Sequence, residues 1–569
     1  MTRRIGITSF AFAVFTCAAA SAQVVPAIPP ATPILGHNGM VVAQERRAAR
    51  IGVEFLDRGG NAVDAAVAVG FALAVTYPRA GNIGGGGFMV IHLANNRDMA
   101  IDYRETAPAA ATSTMFLDAQ GHPDPKKSRD SGLSVGVPGT VAGLALAEQK
   151  YGSGKFKLAD LIAPAINLAQ QGFPVSGDLA DSLPDARDRV ARWRSSADIF
   201  FNGDQALREG DRLLQSDLAA TLRAIAERGP AAFYQGEIAE RIAAAVREAG
   251  GVMTAKDLNG YRAIERPVVS GTYRGYDVVS MPPPSSGGVA LIEMLNILEG
   301  YDLAKLGRGT EALHFEIEAM KRAYADRATF MGDPATVKIP VAGLIAKKYA
   351  AALRTGITEK ATPAADIRTG KPADYEGHNT THFSIIDRDG NAVSNTYTLN
   401  FSYGLGLIAD GTGVLLNNEL DDFTAKPGAA NAYGLVGTND SNLPGPGKRP
   451  LSSMTPTIAL KDGKPFLITG SPGGSRIITA VLQVIINAID FHEGIAEAVS
   501  APRLHNQWQP DETYAEPGFD PAVLDALKAR GHKIVATEPH TSANSIEVTK
   551  DGYVGAADTR TRGALAAGY

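Results

Sequence analysis

The sequence predicts an α+β protein in which two stacked sheets lie between helical layers, an αββα sandwich. Three observations lead there. Helices alternate with loops through the middle of the chain, short strands joined by tight turns take over from Thr380, and one long apolar helix returns among those strands.

The elements follow in order. After a proline-rich lead at 24–33, residues 61–75 form an Ala-rich stretch that is apolar nearly all round, the pattern of a buried helix. The glycine run 84–87 opens a strand at 88–92. Helical spacing then recurs at 158–171, 213–228, 237–249 and 309–330. The last is clearest, with Leu313, Ile317, Met320 and Tyr324 on one face and Gly332-Asp333-Pro334 closing it.

From Thr380 the pattern is one of hairpins. Residues 383–386 and 392–399 read as strands around Arg388-Asp389-Gly390. If those three residues form the loop, with Gly390 in the left-handed region, paired residue numbers sum to 778 and Thr398 lies opposite Thr380. A two-residue loop would set Leu399 there and turn Thr398 to the other face. Two further hairpins turn at Asp462-Gly463 and Asp551-Gly552, and 476–491 reads as the long apolar helix. Residues 426–450 hold eight glycines and prolines before Pro450 and almost no periodicity, so they form a long loop and a lid candidate.

Composition narrows the function classes. The chain has 569 residues, 45% hydrophobic and 20% charged, with net charge −5, a composition that supports a large core. It carries no basic stripe, which gives no reason to expect nucleic acid. No run of twenty apolar residues follows the N-terminus, so no membrane span is expected. Residues 1–22 read as a secretory signal: Arg3 and Arg4, an apolar core from Ile5 to Ala19, and Ala20-Ser21-Ala22 before Gln23. Export by the general or the twin-arginine route fits, and a lipid anchor at Cys17 is an alternative. Cys17 is the sole cysteine and lies in this leader, so the mature protein is expected without disulfides.

A threonine freed at a chain start carries its own base, because an α-amino group titrates near ~8 and can accept the hydroxyl proton. A Thr-Thr pair opening a strand is also what ordinary β-propensity yields, so residues alone leave this open. The motifs go further: D-Y-R-E-T-A-P at 102–108, P-P-P-S-S-G-G at 282–288, T-T-H-F-S at 380–384, N-T-Y-T-L-N at 395–400, L-L-N-N-E-L-D-D-F at 415–423, P-L-S-S-M at 450–454 and G-S-P-G-G-S at 470–475. From about Gly36 to the C-terminus the sequence resembles the γ-glutamyltransferases (γ-glutamyl transpeptidases, glutathione hydrolases) of the N-terminal-nucleophile hydrolase superfamily.

The resemblance implies an autocatalytic cut between Asn379 and Thr380, giving a large subunit 23–379 and a small catalytic subunit 380–569 that stay paired as one interlocked unit. It implies Thr380 as nucleophile, with Thr381 the rival one place along, and Thr398 as its hydrogen-bond partner. Gly473 and Gly474, directly before the helix predicted from 476, would supply oxyanion donors. Glu419 and Asp422 would take the substrate ammonium; bacterial members often carry glutamine at the position of Glu419. Arg104 would grip the α-carboxylate with Ser452 and Ser453, Asn400 would add a polar contact, and Tyr433 in the long loop would close the pocket by reaching Asn400. Asp421 reads as structural. Only Arg104 is expected from the large subunit. The implied partners are glutathione and other γ-glutamyl compounds with amino-acid or peptide acceptors, and the implied location is secreted, in the bacterial periplasm.

Other readings rank lower. Gly132-Leu133-Ser134-Val135-Gly136 fits a serine-hydrolase pattern but follows a charged loop and precedes Pro138-Gly139 instead of a helix. The glycine run lacks the Lys-Ser/Thr of a phosphate loop. His378 and His382 straddle the cut on extended chain without a third ligand, so neither metal nor cofactor is expected. A β-lactam or glutaryl acylase on the same scaffold is the nearest alternative. A binding module without activity would require loss of Thr380 or the glycine pair.

Overall fold

The computed structural model describes residues 28–367 and 381–569. The strands of its two large sheets are β1 (Ile34–Gly36), β2 (Gly39–Ala43), β3 (Gly86–Leu93), β4 (Arg97–Asp102), β5 (Ile264–Arg266), β6 (Val269–Tyr273), β7 (Tyr276–Ser280), β8 (Thr381–Asp387), β9 (Ala392–Thr398), β10 (Thr457–Lys461), β11 (Lys464–Thr469), β12 (Ser545–Thr549), β13 (Gly552–Ala556) and β14 (Leu565–Gly568). Seven form one antiparallel sheet in the order β14-β2-β8-β9-β3-β4-β5, and seven a second in the order β1-β13-β12-β11-β10-β7-β6. Each sheet interleaves strands from before residue 367 with strands from after 381.

Alternation along β8 and β9 explains the layers. Phe383, Ile385, Val393 and Tyr397 point into a core shared with α1 (Arg46–Asp57) and α2 (Ala62–Thr76), whereas Ile386 and Ala392 point toward the second sheet. Beyond that sheet lie α3 (Gly287–Leu298), α4 (Thr310–Phe330) and α5 (Arg476–Ile489), whose apolar faces fill the second core. All fifteen residues of α2 are buried, as its uniform hydrophobicity requires. Its free end is closed locally: Asn61 and Asp64 form a capping box, and Asp387 Oδ2 accepts from the Ala62 N–H at 2.9 Å.

The central hairpin takes the three-residue-loop register. Thr381 pairs with Tyr397 and Ile386 with Ala392, numbers that sum to 778, and Gly390 turns at φ +89°. Asp387 fixes the turn by accepting from the Asp389 and Asn391 N–H groups at 2.9 and 3.0 Å. Helices predicted at 158–171, 237–249 and 309–330 appear as Leu158–Gln171, Glu237–Glu248 and Thr310–Phe330. Residues 426–450 contain no helix or strand, only an isolated bridge between Ala430 and Val436. Among the described residues no helix is long and apolar enough to cross a membrane.

Between the sheets, near the start of β8, the packing is polar. His382 is fully buried; its Nε2 lies 2.9 Å from Ser384 Oγ and its Nδ1 3.0 Å from Thr396 Oγ1. Ser384 Oγ donates to Asn544 O at 2.9 Å, so Ser384 accepts from Nε2–H and Thr396 donates to Nδ1: a neutral imidazole with both nitrogens satisfied. Burial pushes the His382 pKa down to about 3. The unfolded chain therefore takes up a proton below about pH 6.5 that the native state refuses, so this contribution to stability is present above 6.5 and is lost as pH falls toward 3. We expect about 1.4 kcal/mol lost per pH unit below 6.5 from His382. His382→Gln should flatten the acid limb of a plot of Tm against pH; an unchanged limb refutes the assignment.

Candidate active site

The site forms where the β8–β9 hairpin, the glycine turn before α5 and the loop 426–450 converge around a cavity of about 630 Å³. Asn379, Thr380, His378 and the leader 1–22 lie outside the described residues. Thr381, the first described residue of β8, is buried and donates through Oγ1 to Gln44 Oε1. Thr398 ends β9, buried, with its Oγ1 accepting from the Asn400 N–H at 2.8 Å.

Gly473 and Gly474 sit at φ +129° and +66°, and α5 begins at Arg476. A side chain at Gly473 would meet Thr541 Cγ2 at 2.6 Å and His540 O at 2.8 Å, so close approach as well as conformation calls for glycine. Among the described residues neither glycine's N–H has a protein acceptor, and the positive end of α5 lies beside them. Gly473 lines the cavity.

Across the cavity the loop 426–450 reaches Asn400. Tyr433 donates to Asn400 Oδ1 at 3.3 Å and packs edge-on against Phe401 with ring centroids 5.5 Å apart. Asn400 Nδ2 donates to Asn418 O at 2.9 Å, which ties the Tyr433 contact to the L-L-N-N-E-L-D-D-F turn.

That turn carries the acids. Glu419, Asp422 and Arg104 are all buried, and the guanidinium donates through Nη1 to Glu419 Oε1 and through Nη2 to Asp422 Oδ2. Nε donates to Pro450 O at 3.0 Å and Nη2 also to Leu451 O at 3.3 Å. Most of the arginine's five N–H groups are thus already engaged within the protein. A third carboxyl, Glu105, lies 3.8 Å from Nη1 and is fully buried, with both oxygens lacking a hydrogen bond. Burial pushes Glu105 up to about 8 and Glu419 well above the usual carboxylate range, each partly offset by Arg104. One guanidinium among three carboxyls in a dry site makes proton retention favourable. Asp421 points away, accepting from Ser128 Oγ at 2.5 Å and Arg129 Nε at 3.2 Å.

Ser452 and Ser453 are buried against the P-P-P-S-S-G-G segment. Ser285 and Ser452 form a parallel bridge, Ser452 O accepts from Ser286 N at 2.7 Å, and Ser452 Oγ accepts from Met454 N at 3.1 Å. Arg327 donates to Ser286 Oγ at 2.9 Å and to Ser453 Oγ.

Arg104, Glu419, Asp422, Thr398, Ser452 and Ser453 do not line the cavity itself, whereas other residues of the N-terminal segment do. Gln44, Arg79 and Asp178 line the cavity, and Arg327 and Ser286 hold the serine pair. The sequence reading missed these because Gln44, Arg79 and Asp178 lie far from any motif, Arg327 sits on a helix in a charged run that reads as solvated, and Ser286, although inside the 282–288 motif, carries no sign there of its partner Arg327. Its one available signal was that M-K-R-A-Y-A-D-R falls within a helix whose spacing leaves no wholly polar face.

Among the described residues one His/Glu trio clusters, His314, Glu318 and His532, on and beside α4. Glu318 is engaged there by Arg322 at 2.6 Å and by Thr362 Oγ1 at 2.6 Å. Ser134 donates to Ser131 O at 2.7 Å in a short 3₁₀ turn.

Residues 48–568 match the gamma-glutamyltranspeptidase family. The chain is 51% identical over 562 residues to a glutathione hydrolase proenzyme of Escherichia coli (strain K12), covering 96% of each. It is 39% identical over 543 residues to the acylase ACY 1 proenzyme of Pseudomonas sp. (strain V22), covering 93% of this chain and 94% of that one. Among solved structures it is similar to the cephalosporin acylase of Bacillus halodurans, with TM-score 0.85 and 29% identity over 97% of this chain and 99% of that one.

Proposed function

Because this chain belongs to the gamma-glutamyltranspeptidase family, we propose that it cleaves γ-glutamyl amides such as glutathione and passes the γ-glutamyl group to water, an amino acid or a peptide. Its four layers are those of an N-terminal-nucleophile hydrolase. The chain is made as an exported precursor, bound for the periplasm, and splits into 23–379 and 380–569, which remain paired.

In the precursor the Thr380 hydroxyl attacks the Asn379 carbonyl carbon, the acyl group moves from nitrogen to oxygen, and water hydrolyses the ester to free the Thr380 amine. In turnover that amine accepts the hydroxyl proton as Oγ attacks the γ-carbonyl. The oxyanion is met by the N–H groups of Gly473 and Gly474, and Thr398 orients the hydroxyl. The proton then passes to the leaving amine as the C–N bond breaks. The resulting γ-glutamyl ester on Thr380 is attacked by water or by an acceptor amine, which restores the hydroxyl. No cofactor enters either step.

One observation supports a γ-glutamyl rather than a plain glutaryl substrate: buried Arg104 lies between Glu419 and Asp422 and donates to the Pro450 and Leu451 carbonyls, which directly precede Ser452 and Ser453 in the chain. A substrate α-ammonium and α-carboxylate would exchange into these pairs, the ammonium with Glu419 and Asp422 and the carboxylate with Arg104 and the two serines. Asn400 and Tyr433 would close over them and exclude water. A glutaryl amide has no ammonium to replace the arginine's charge beside the acids.

The test compares kcat/KM for a γ-glutamyl anilide and the matching glutaryl anilide. We expect the γ-glutamyl substrate to lead by on the order of 100-fold, the scale of lost charge-assisted hydrogen bonds. Equal turnover would favour the acylase reading.

A further inference from the structure

The cavity holds more positive charge than a γ-glutamyl group uses. Three of its lining residues are arginines. Arg79 is paired with Asp178 at 3.0 Å, and Arg560 with Glu516 at 2.6 Å and Asp558 at 3.1 Å. Arg476 differs. Its Nη1 donates to the neutral Thr537 Oγ1 at 3.1 Å, its guanidinium carbon lies 4.8 Å from the centre of the Tyr514 ring, and among the described residues no carboxylate forms an ion pair with it.

Its place makes the missing counter-charge costly. Arg476 is the first residue of α5, where the helix end is already positive, and its side chain is half-buried. Nearby titratable groups do not compensate. Glu516 accepts from the Arg503 N–H at 3.0 Å and from Arg560 at 2.6 Å, so its charge is committed. His540, on the same wall, is pushed toward its neutral form by burial and by Arg476 itself. Tyr514 and Tyr324 are uncharged phenols at neutral pH. A cation kept in this way, two residues past the glycine turn and facing a large cavity, is arranged to receive an anion that the protein does not supply.

Resting on the γ-glutamyl reading above, we infer that Arg476 receives the C-terminal carboxylate of the peptide or amino acid on the far side of the scissile bond, both as the leaving group departs and as an acceptor enters. The γ-glutamyl end is held by Arg104 and its acids; this second contact selects the other end. It favours leaving groups and acceptors that are free amino acids or short peptides over uncharged amines, and it holds the acceptor amine against the ester in the orientation the departing amine had.

The test uses the mature two-chain enzyme with glutathione and with the same peptide whose glycine carboxylate is amidated, so that only one charge changes. The parent is expected to prefer the free acid roughly ten- to hundred-fold in kcat/KM, the factor given by one charge-assisted hydrogen bond. In Arg476→Ala and Arg476→Gln the ratio of acid to amide should fall close to one, and Arg476→Lys should keep part of it. Because the ratio is internal to each variant, a general loss of activity through disturbed packing leaves it unmoved. A parent without the preference, or a ratio unchanged in the variants, overturns the inference. A parent that turns over neither peptide overturns the γ-glutamyl reading and this inference together.

Discussion

Thr380→Ala is expected to accumulate as one uncut chain with activity reduced on the order of 10⁴-fold or more, the scale at which loss of a nucleophile is measured. The alanine cannot attack the Asn379 carbonyl, so the backbone stays closed and no new amine appears. Thr380→Ser keeps a hydroxyl and should still cut, with slower turnover. Denaturing electrophoresis with intact mass reads both outcomes at once. Two bands from Thr380→Ala would mean that another residue, Thr381 first, performs the cut; but Thr381 Oγ1 is engaged with Gln44 inside the sheet.

The next largest effect is expected from Arg104→Ala. Read from the sequence alone, this change should raise KM far more than it disturbs maturation. The structure adds a second consequence, because Arg104 is the cation beside Glu105, Glu419 and Asp422, all buried. Its removal leaves these carboxyls without their counter-charge, a loss typically about 3–5 kcal/mol when a buried pair is broken. Both the thermal midpoint and the affinity for γ-glutamyl donors should fall, KM rising by roughly 100-fold. Arg104→Lys should not restore either, since one ammonium cannot serve Glu419, Asp422 and the Pro450 and Leu451 carbonyls in four directions. Unchanged substrate affinity in Arg104→Ala would refute the carboxylate role; an unchanged melt would refute the buried-charge argument.

Local signals were legible in the sequence. Gly390 and the turn residues narrowed the hairpin to two registers, of which the three-residue loop is the one formed; the helix after Gly473-Gly474 followed from its apolar run, and the long loop at 426–450 from the density of glycine and proline. Partners far apart in sequence were not. Arg104 and Glu419 are separated by 315 positions, and each alone reads as a solvated charge. The pairing of β2 with β14 and of β1 with β13 leaves no periodic trace, because an edge strand of three to five residues looks like loop until its neighbour is known. Glu105 lies inside the 102–108 motif, yet its surroundings come from distant chain: it packs against Gly86 and Gly136, where a Cβ would come within 2.7 Å of it.

The braiding of both sheets sets the terms on which the proposed cut is tolerable. β2 runs between β14 and β8, and β13 beside β1, so neither fragment owns a complete sheet. Before the cut, folding is a first-order event within one polypeptide; afterwards, recovery from denaturation requires two molecules to meet and thread their edges together. The mature enzyme should therefore renature poorly and in proportion to its concentration, whereas an uncut precursor should renature at any dilution. Its working lifetime is then governed by how slowly the pair comes apart, not by how readily it could assemble again.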